Sequence, residues 1–334
     1  MKAGRIEGAR VLVTGGTGSI GAEIVRQLLP RKPAKVIIFS RDDSKHFHFQ
    51  QELAAHANVE FMIGDVRDRE SLERAFQKGV DIVVHAAALK HVLICEQNPT
   101  EAVKTNILGT QNVVDLAKGH GVGIMMMVST DKAVSPTSTM GASKFVAERL
   151  TIDGNVDSDT KCACVRFGNV LGSRGSVIPA FVRGIRERQA VWVSDLEVTR
   201  FAMPIPEAAR LVLDAVEMCN GGEIFVLRMK AFSLRQLLGI IQSMPFAAGG
   251  FEVEERGLIR SEKLHEDLVS SDEVPRLWQT KSHWVVAPPF GDWTPVSGAV
   301  PAPIEAVASD AAERYADDEL RAEIDAAIAR MPLD

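Results

Sequence analysis

Short apolar runs and amphipathic stretches alternate along the first half of this chain. Residues 10–14 (RVLVT), 35–40 (KVIIFS), 59–63, 81–85 (DIVVH), 124–129 and 162–167 are brief and rich in β-branched or apolar residues, which predicts strands. Between them, stretches such as 22–29 and 69–77 carry apolar positions at helical spacing. Strands separated by helices predict βαβ units, and therefore a parallel sheet covered on both faces. With right-handed crossovers the result is a doubly wound α/β domain.

After residue 167 the rhythm changes. GNVLGSRGSVIP is rich in glycine and serine, as expected of a loop leaving the carboxyl end of a strand. A helix over 207–219 and a strand over 223–227 are expected to return to the sheet, and residues 231–277 to form a smaller α/β lobe. Prolines at 288, 289, 295, 301 and 303 predict a loosely wrapped tail before a last helix. There is no internal repeat.

The totals narrow the function classes. A chain of 334 residues, 46% hydrophobic and 25% charged, has the composition of an ordinary globular protein with a substantial core. A net charge of −6 without any basic run gives no reason to expect nucleic acid. The N-terminal MKAGRIEGARVLVTGG enters a strand without an apolar signal region, and no uninterrupted apolar stretch approaches membrane-spanning length. A cytoplasmic protein without a membrane partner is expected. Cys162 and Cys164 alternate across a strand and make a poor chelate, so these two, Cys95 and Cys219 read as buried reduced thiols. His46 and His48 have no third ligand nearby, so no metal is expected.

VLVTGGTGSIGAEIVRQLL places Gly15, Gly18 and Gly21 after a strand and ahead of a helix. Gly15 suits the tight turn, Gly18 lets a pyrophosphate approach the backbone, and Gly21 packs helix against strand. The helix N-terminus then offers free N–H groups and partial positive charge to phosphates. A dinucleotide-binding Rossmann domain follows. The second strand ends in FSRDDSK, so Ser40 stands where an NAD site usually has an acid, with Arg41 next and Lys45 a turn later. A guanidinium and a hydroxyl favour the 2′-phosphate of NADP, while Asp42 and Asp43 keep NAD open. Asp65 and Val66 of GDVRD are expected beside the adenine. HAAALKHV (85–92) is expected along the pyrophosphate and nicotinamide ribose, with Ala86, Ala87, Ala88 and Lys90.

With these residues in hand, the chain resembles the extended short-chain dehydrogenase/reductases. Within them it is similar to the sugar-nucleotide 4,6-dehydratases that act on UDP-N-acetylglucosamine. The likeness rests on TGGTGSIG (14–21), SRDDSK (40–45), GDVRD (64–68), HAAALKHV, STDKAVSPTSTMGASK (129–144), RFGNVLGSRGSVIP (166–179), TRFAMPIPEAARLVLDA (199–215), GGEIFV (221–226) and SEKLHEDL (261–268). It spans roughly residues 8 to 275 in the family's order. One branch carries tyrosine four residues before the lysine of the helix; this chain has Met140 before Lys144, and its one tyrosine, Tyr315, is far along the chain. The methionine branch is mostly known from large membrane-anchored enzymes, whose catalytic domain this chain resembles. Ser261 replaces the family's glycine before EKLHE, and Pro204 stands where threonine is usual.

The resemblance implies a Rossmann domain at 1–168 with 202–227, a substrate lobe at 169–201 with 228–278, and a tail and helix at 279–334. It implies Asp131 as the acid for a departing C6 hydroxyl, Lys132 as the base at C5, and Thr130 holding the 4-hydroxyl. Lysine acts as a base only after losing its proton, so a pKa lowered by burial or nearby positive charge is expected for Lys132. One helical turn puts Met140 and Lys144 on nearly the same face, both toward the cofactor. Methionine takes no proton, so Asp131, through water, is expected to accept that of the C4 hydroxyl. Thr17, Ser19, Ile20, Asn106 and Ser129 complete the expected cofactor contacts. Lys90, Asn169, Arg174, Val177, Arg200 and Arg260 are the candidates for the UDP-sugar, with Glu262 and Glu266 reading ribose or uracil edges. A homo-oligomer is expected by analogy. Two other readings stay open: an epimerase of the same oxidation, and a non-catalytic NADP-binding sensor.

Overall fold

The computed structural model describes residues 4–173, 175–303 and 307–330. The first half runs β1 (Arg10–Thr14), α1 (Ser19–Leu28), β2 (Lys35–Ser40), α2 (Asp43–Glu52), β3 (Val59–Ile63), α3 (Arg69–Phe76) and β4 (Ile82–His85). A helical stretch follows: α4 (Val92–Gln97), α5 (Pro99–Ala102), a π-helical turn over Val103–Leu108, and α6 (Gly109–Gly119). Then come β5 (Ile124–Val128), α7 (Thr139–Asp153) and β6 (Lys161–Arg166). Strands β1, β2, β4, β5 and β6 bury nearly every residue, as strands covered by helices on both faces must.

The sheet order is β15-β13-β14-β10-β6-β5-β4-β1-β2-β3, where β10 is Ile224–Leu227, β13 Leu277–Gln279, β14 His283–Val286 and β15 Val300–Pro301. From β10 to β3 all pairs are parallel, and β1 lies between β2 and β4. The chain order reverses there, which opens a crevice beyond the strands' carboxyl ends.

The proline-rich tail is more ordered than its composition predicts. β14 pairs antiparallel with β10, extending the sheet beyond its last parallel strand. HWVV is too short a run to stand out between prolines, yet β10 offers it an open row of hydrogen-bonding groups.

A second core forms the smaller lobe. It is built from α8 (Val177–Arg186), α10 (Leu234–Gln242) and the apolar face of α11 (Asp317–Ala329), where Leu320, Ile324 and Ala327 are buried. β7 (Asn169–Leu171), β9 (Thr199–Pro204) and β11 (Lys230–Ser233) make a small sheet beneath it. β8 (Val191–Val193) pairs with β12 (Val253–Glu255), and α9 (Ile205–Met218) packs back on α1. Among the described residues, no helix is long and apolar enough to cross a membrane.

Candidate active site

Two cavities form one cleft along the carboxyl ends of the strands, sharing Gly15, Gly18, Arg41, Lys45, Ala86 and Ala88. The narrower, of about 500 Å³, is walled by Thr17, Ser40, Arg41, Asp42, Lys45, Asp65, Val66 and Ala87. Gly15 has φ 67°, and a Cβ there would come 2.7 Å from the Ala87 backbone nitrogen. A Cβ on Gly21 would lie 2.3 Å from the Gly15 carbonyl oxygen, so α1 sits directly against the turn. Gly18 caps α1 with extended backbone, leaving the helix N-terminus open to the cleft. These features fit a dinucleotide.

At the end of β2 the hydroxyls of Thr17 and Ser40 lie 2.8 Å apart, and Ser40 Oγ is 2.7 Å from His46 Nε2. Asp42 caps α2 by accepting from the Lys45 backbone N–H, and its carboxylate also pairs with the Lys45 ammonium. Arg41 pairs with Asp65 at 3.5 Å.

The larger cavity, of about 730 Å³, is walled by Ser19, Ile20, Gly21, Lys90, Ser129, Thr130, Lys132, Met140, Lys144, Asn169 and Val177, all expected at the site. Its wall also carries His91, Phe167, Ser173, Ser176 and Phe232, which pattern reading does not single out. The serines and His91 lie inside quoted motifs. Phe232 carries no signal, because β11 brings it in only through its pairing with β9.

The catalytic candidates stand on two elements that touch. Thr130 caps the short turn Asp131–Ala133 after β5, and the Asp131 N–H donates to the Phe167 carbonyl beyond β6. Ser138 caps α7, its hydroxyl accepting from the Gly141 N–H. A Cβ at Gly141 would lie 2.2 Å from the Lys132 carbonyl oxygen, so glycine lets α7 meet the turn. Met140 and Lys144 therefore face the same cavity as Lys132. Met140 also packs against Cys95 and Ala102. The Lys144 ammonium, pushed down to about 8 by burial, donates to the Val128 carbonyl at 2.7 Å.

Asp131 is fully buried behind the wall rather than on it. Its Oδ1 accepts from Thr130 Oγ1 at 2.8 Å and from Lys132 Nζ at 3.1 Å, while Oδ2 makes no hydrogen bond among the described residues. Lys132 Nζ also donates to Asn169 Oδ1 at 3.1 Å and pairs with Glu266 Oε1 at 3.3 Å.

Several expectations need correction. Burial favours a neutral Lys132, but Asp131 and Glu266 outweigh it and raise its pKa above the ordinary lysine value. Glu266 is buried against Lys132 and so is withdrawn from reading a ribose or base edge in the main cavity. Asn106 lies off the wall: its side chain accepts from the Leu89 N–H and donates to the Leu89 carbonyl and Ser143, which holds the strand-end segment in shape. Arg200 is buried and paired with Glu262 at 2.8 Å, and both line a separate small cavity. Arg260 is exposed and lines neither cleft cavity. Arg174 lies outside the described residues. Tyr315 does not stand in for the missing phenol: its hydroxyl donates to the Ala202 carbonyl at 3.2 Å, off the cavity wall. All four cysteines are buried and unpaired, as expected.

A glycine turn opening onto a switch-point crevice, with Thr130, Lys132 and Lys144 on its wall, defines an extended short-chain dehydrogenase/reductase. Residues 11–288 match the family described as polysaccharide biosynthesis protein, and the chain belongs to that family. It is 38% identical over 283 residues to a UDP-N-acetylglucosamine 4,6-dehydratase (inverting) of Campylobacter jejuni, covering 83% of this chain and 82% of the relative. It is also 39% identical over 276 residues to a UDP-glucose 4-epimerase of Rickettsia bellii, covering 80% and 79%. Among solved structures, Pen from Bacillus thuringiensis superposes with a TM-score of 0.89 at 37% identity, covering 96% of this chain and 98% of that one. DesIV, a dTDP-glucose 4,6-dehydratase from Streptomyces venezuelae solved with NAD bound, gives 0.67 at 26%, covering 76% and 86%.

Proposed function

We propose that this chain is an NADP-dependent sugar-nucleotide 4,6-dehydratase, converting UDP-N-acetylglucosamine or a close UDP-sugar to the 4-keto-6-deoxy sugar. The observation that carries this is the Thr130–Lys132 turn. It puts an ammonium and a hydroxyl on the cavity wall with a carboxylate bonded to both. NADP is favoured over NAD because Ser40 and Arg41 occupy the tip of β2, and Asp42 is spent on capping α2.

A bound dinucleotide would take hydride from C4 and return it to C6. The chain's residues then handle protons. Thr130 Oγ1 holds the 4-hydroxyl and accepts its proton while passing its own to Asp131 Oδ1. The same carboxyl, through Thr130, protonates the C6 hydroxyl as it leaves as water. Lys132, once neutral, removes the C5 proton and later returns a proton there. Lys144 binds the nicotinamide ribose and contributes positive potential. Met140 shapes the wall. Lys90 and Asn169 support the view that the UDP-sugar enters beside β7.

The test is incubation with UDP-N-acetylglucosamine and NADP, with mass and proton NMR of the product in heavy water. Loss of one water with a new methyl signal is expected. A product of unchanged mass would favour the epimerase reading, which the Rickettsia relative supports. NADP binding without turnover of any UDP-sugar would favour the sensor.

A further inference from the structure

One proton at the site has no acceptor among Thr130, Asp131 and the substrate. Lys132 must be neutral to act at C5, yet its surroundings hold it charged. Asp131 cannot be the acceptor, because it is already engaged in carrying the 4-hydroxyl's proton to C6.

Lys132 lies between two cavities. One face lines the main cleft, and the other lines a separate cavity of about 130 Å³ with Arg200, Glu262, Lys263 and Glu266. That volume holds a few waters. Glu266 projects into this second cavity from the 261–268 segment. Its own N–H is held by Ser309 Oγ at 2.9 Å, and its Oε1 lies 3.3 Å from Lys132 Nζ. Its side chain is only 4% exposed, and Oε2 makes no hydrogen bond among the described residues. An unpaired carboxylate oxygen at that depth is costly, so it calls for a role.

We infer that Glu266 is the proton partner of Lys132: it accepts the resting proton of the ammonium and exchanges it with solvent through the small cavity. This rests on the dehydratase reading above. The step moves one proton from Nζ to the Glu266 carboxylate. It leaves a neutral amine facing C5 and a neutral carboxyl facing the small cavity, with no other bond made or broken. Asp131 and Glu266 thereby serve separate protons, one travelling between C4 and C6 and the other arming the base. The charged groups around Glu266 are Lys132, Asp131, Arg200 and Lys263, with Glu262 held on Arg200. Burial, with Asp131 adding and Lys132 opposing, leaves Glu266 above its ordinary value and so receptive to a proton. Glu266 touches Lys132 and not the main cavity, so it is a positioning residue.

The test compares Glu266→Gln and Glu266→Asp in the full chain. In Glu266→Gln, kcat for UDP-N-acetylglucosamine at neutral pH is expected to fall about 100-fold, with KM little changed. The loss should recover toward about pH 9, where solvent can take the proton that glutamine cannot. Glu266→Asp should regain part of the rate. A structural defect would not recover with alkali. Unaltered kcat, a loss that persists at high pH, or an aspartate variant no better than glutamine overturns the inference. Competitive acetylation of Lys132 with acetic anhydride, read by mass spectrometry against pH, tests Glu266 without turnover. The midpoint should move down in Glu266→Gln, and an unmoved midpoint overturns the inference. If the parent converts no UDP-sugar, the function reading fails, while this titration still decides whether Glu266 is coupled to the Lys132 proton.

Discussion

Lys144 donates to the backbone carbonyl of Val128 at 2.7 Å, tying α7 to the last residue of β5. The bond costs a buried charge, because burial takes the ammonium from its ordinary 10.5 down to about 8. Below about pH 8, folded and unfolded chains both carry the proton and the folded one bears the desolvation. Between about 8 and 10.5 only the unfolded chain keeps it, so the unfolded state binds more protons and stability rises with pH. Lys144→Met is therefore expected to raise Tm at neutral pH, with the gain shrinking by pH 10, while turnover falls at least about 100-fold. Calorimetry at both pH values and a product assay check the two halves.

Met140 meets the cavity and the Cys95–Ala102 cluster together. If it serves only as wall and packing, Met140→Leu conserves volume, changes stability by less than about 1.5 kcal/mol and leaves kcat within about threefold. Met140→Tyr adds bulk to a residue only 4% exposed and is expected to cost about 1–3 kcal/mol. Urea melts and steady-state rates of both variants decide this. A leucine variant without activity would give the thioether a chemical role.

Gly141 faces the Lys132 carbonyl so closely that a Cβ would meet it at 2.2 Å. The obstacle is backbone, which cannot swing aside. Gly141→Ala is expected to force α7 off the turn, lowering kcat about 100-fold or more through misplaced Lys132 and Lys144. NADP affinity measured by calorimetry should fall far less, because the glycine turn at Gly15 lies elsewhere.

Arg166 joins three segments in the core beneath the site. It bonds Glu148 of α7 at 2.7 Å, Glu273 at 2.8 Å and the Leu268 carbonyl at 3.0 Å. Burial alone would raise the Glu273 pKa, but its hydrogen bonds with Arg166 and that residue's charge win and hold it down to about 2. Its stabilisation is therefore fully present above its ordinary 4.5 and lost as pH falls toward about 2. Glu273→Gln, which leaves Arg166 half-compensated, is expected to cost about 3–5 kcal/mol at neutral pH. The gap to the parent should close in acid, as urea titrations at pH 7 and about pH 3 would show.

The proposed preference for NADP rests on Arg41, which lines the narrower cavity beside Ser40. Arg41→Ala is expected to weaken NADP about 10- to 100-fold, the range for a lost hydrogen bond to a charged group, and to leave NAD nearly unchanged. Equal losses for both dinucleotides would reassign the site to NAD.

The parallel half of the sheet was legible because each strand is a run of apolar residues between helices, and burial on both faces demands that pattern. The glycine turn was legible for a related reason: its geometry is local. The tail strand was not, because HWVV pairs only where β10 leaves an edge open. Nor were the fates of Asn106, Arg200 and Glu266. Each is a polar residue whose side chain looks available in sequence and is spent on a partner far along the chain.

The order of residues alone determined the doubly wound sheet, the dinucleotide turn and the shared helix face of Met140 and Lys144, since periodicity and helical spacing are properties of neighbours. Which side chains reach the cavity was decided only in three dimensions. Asp131 fell behind the wall, Lys132 came to rest between two carboxylates, and Glu266 turned from a candidate for a ribose or uracil edge into its buried partner. The reason is physical: burial and charge pairing depend on what packs alongside, and packing joins segments that the chain keeps apart.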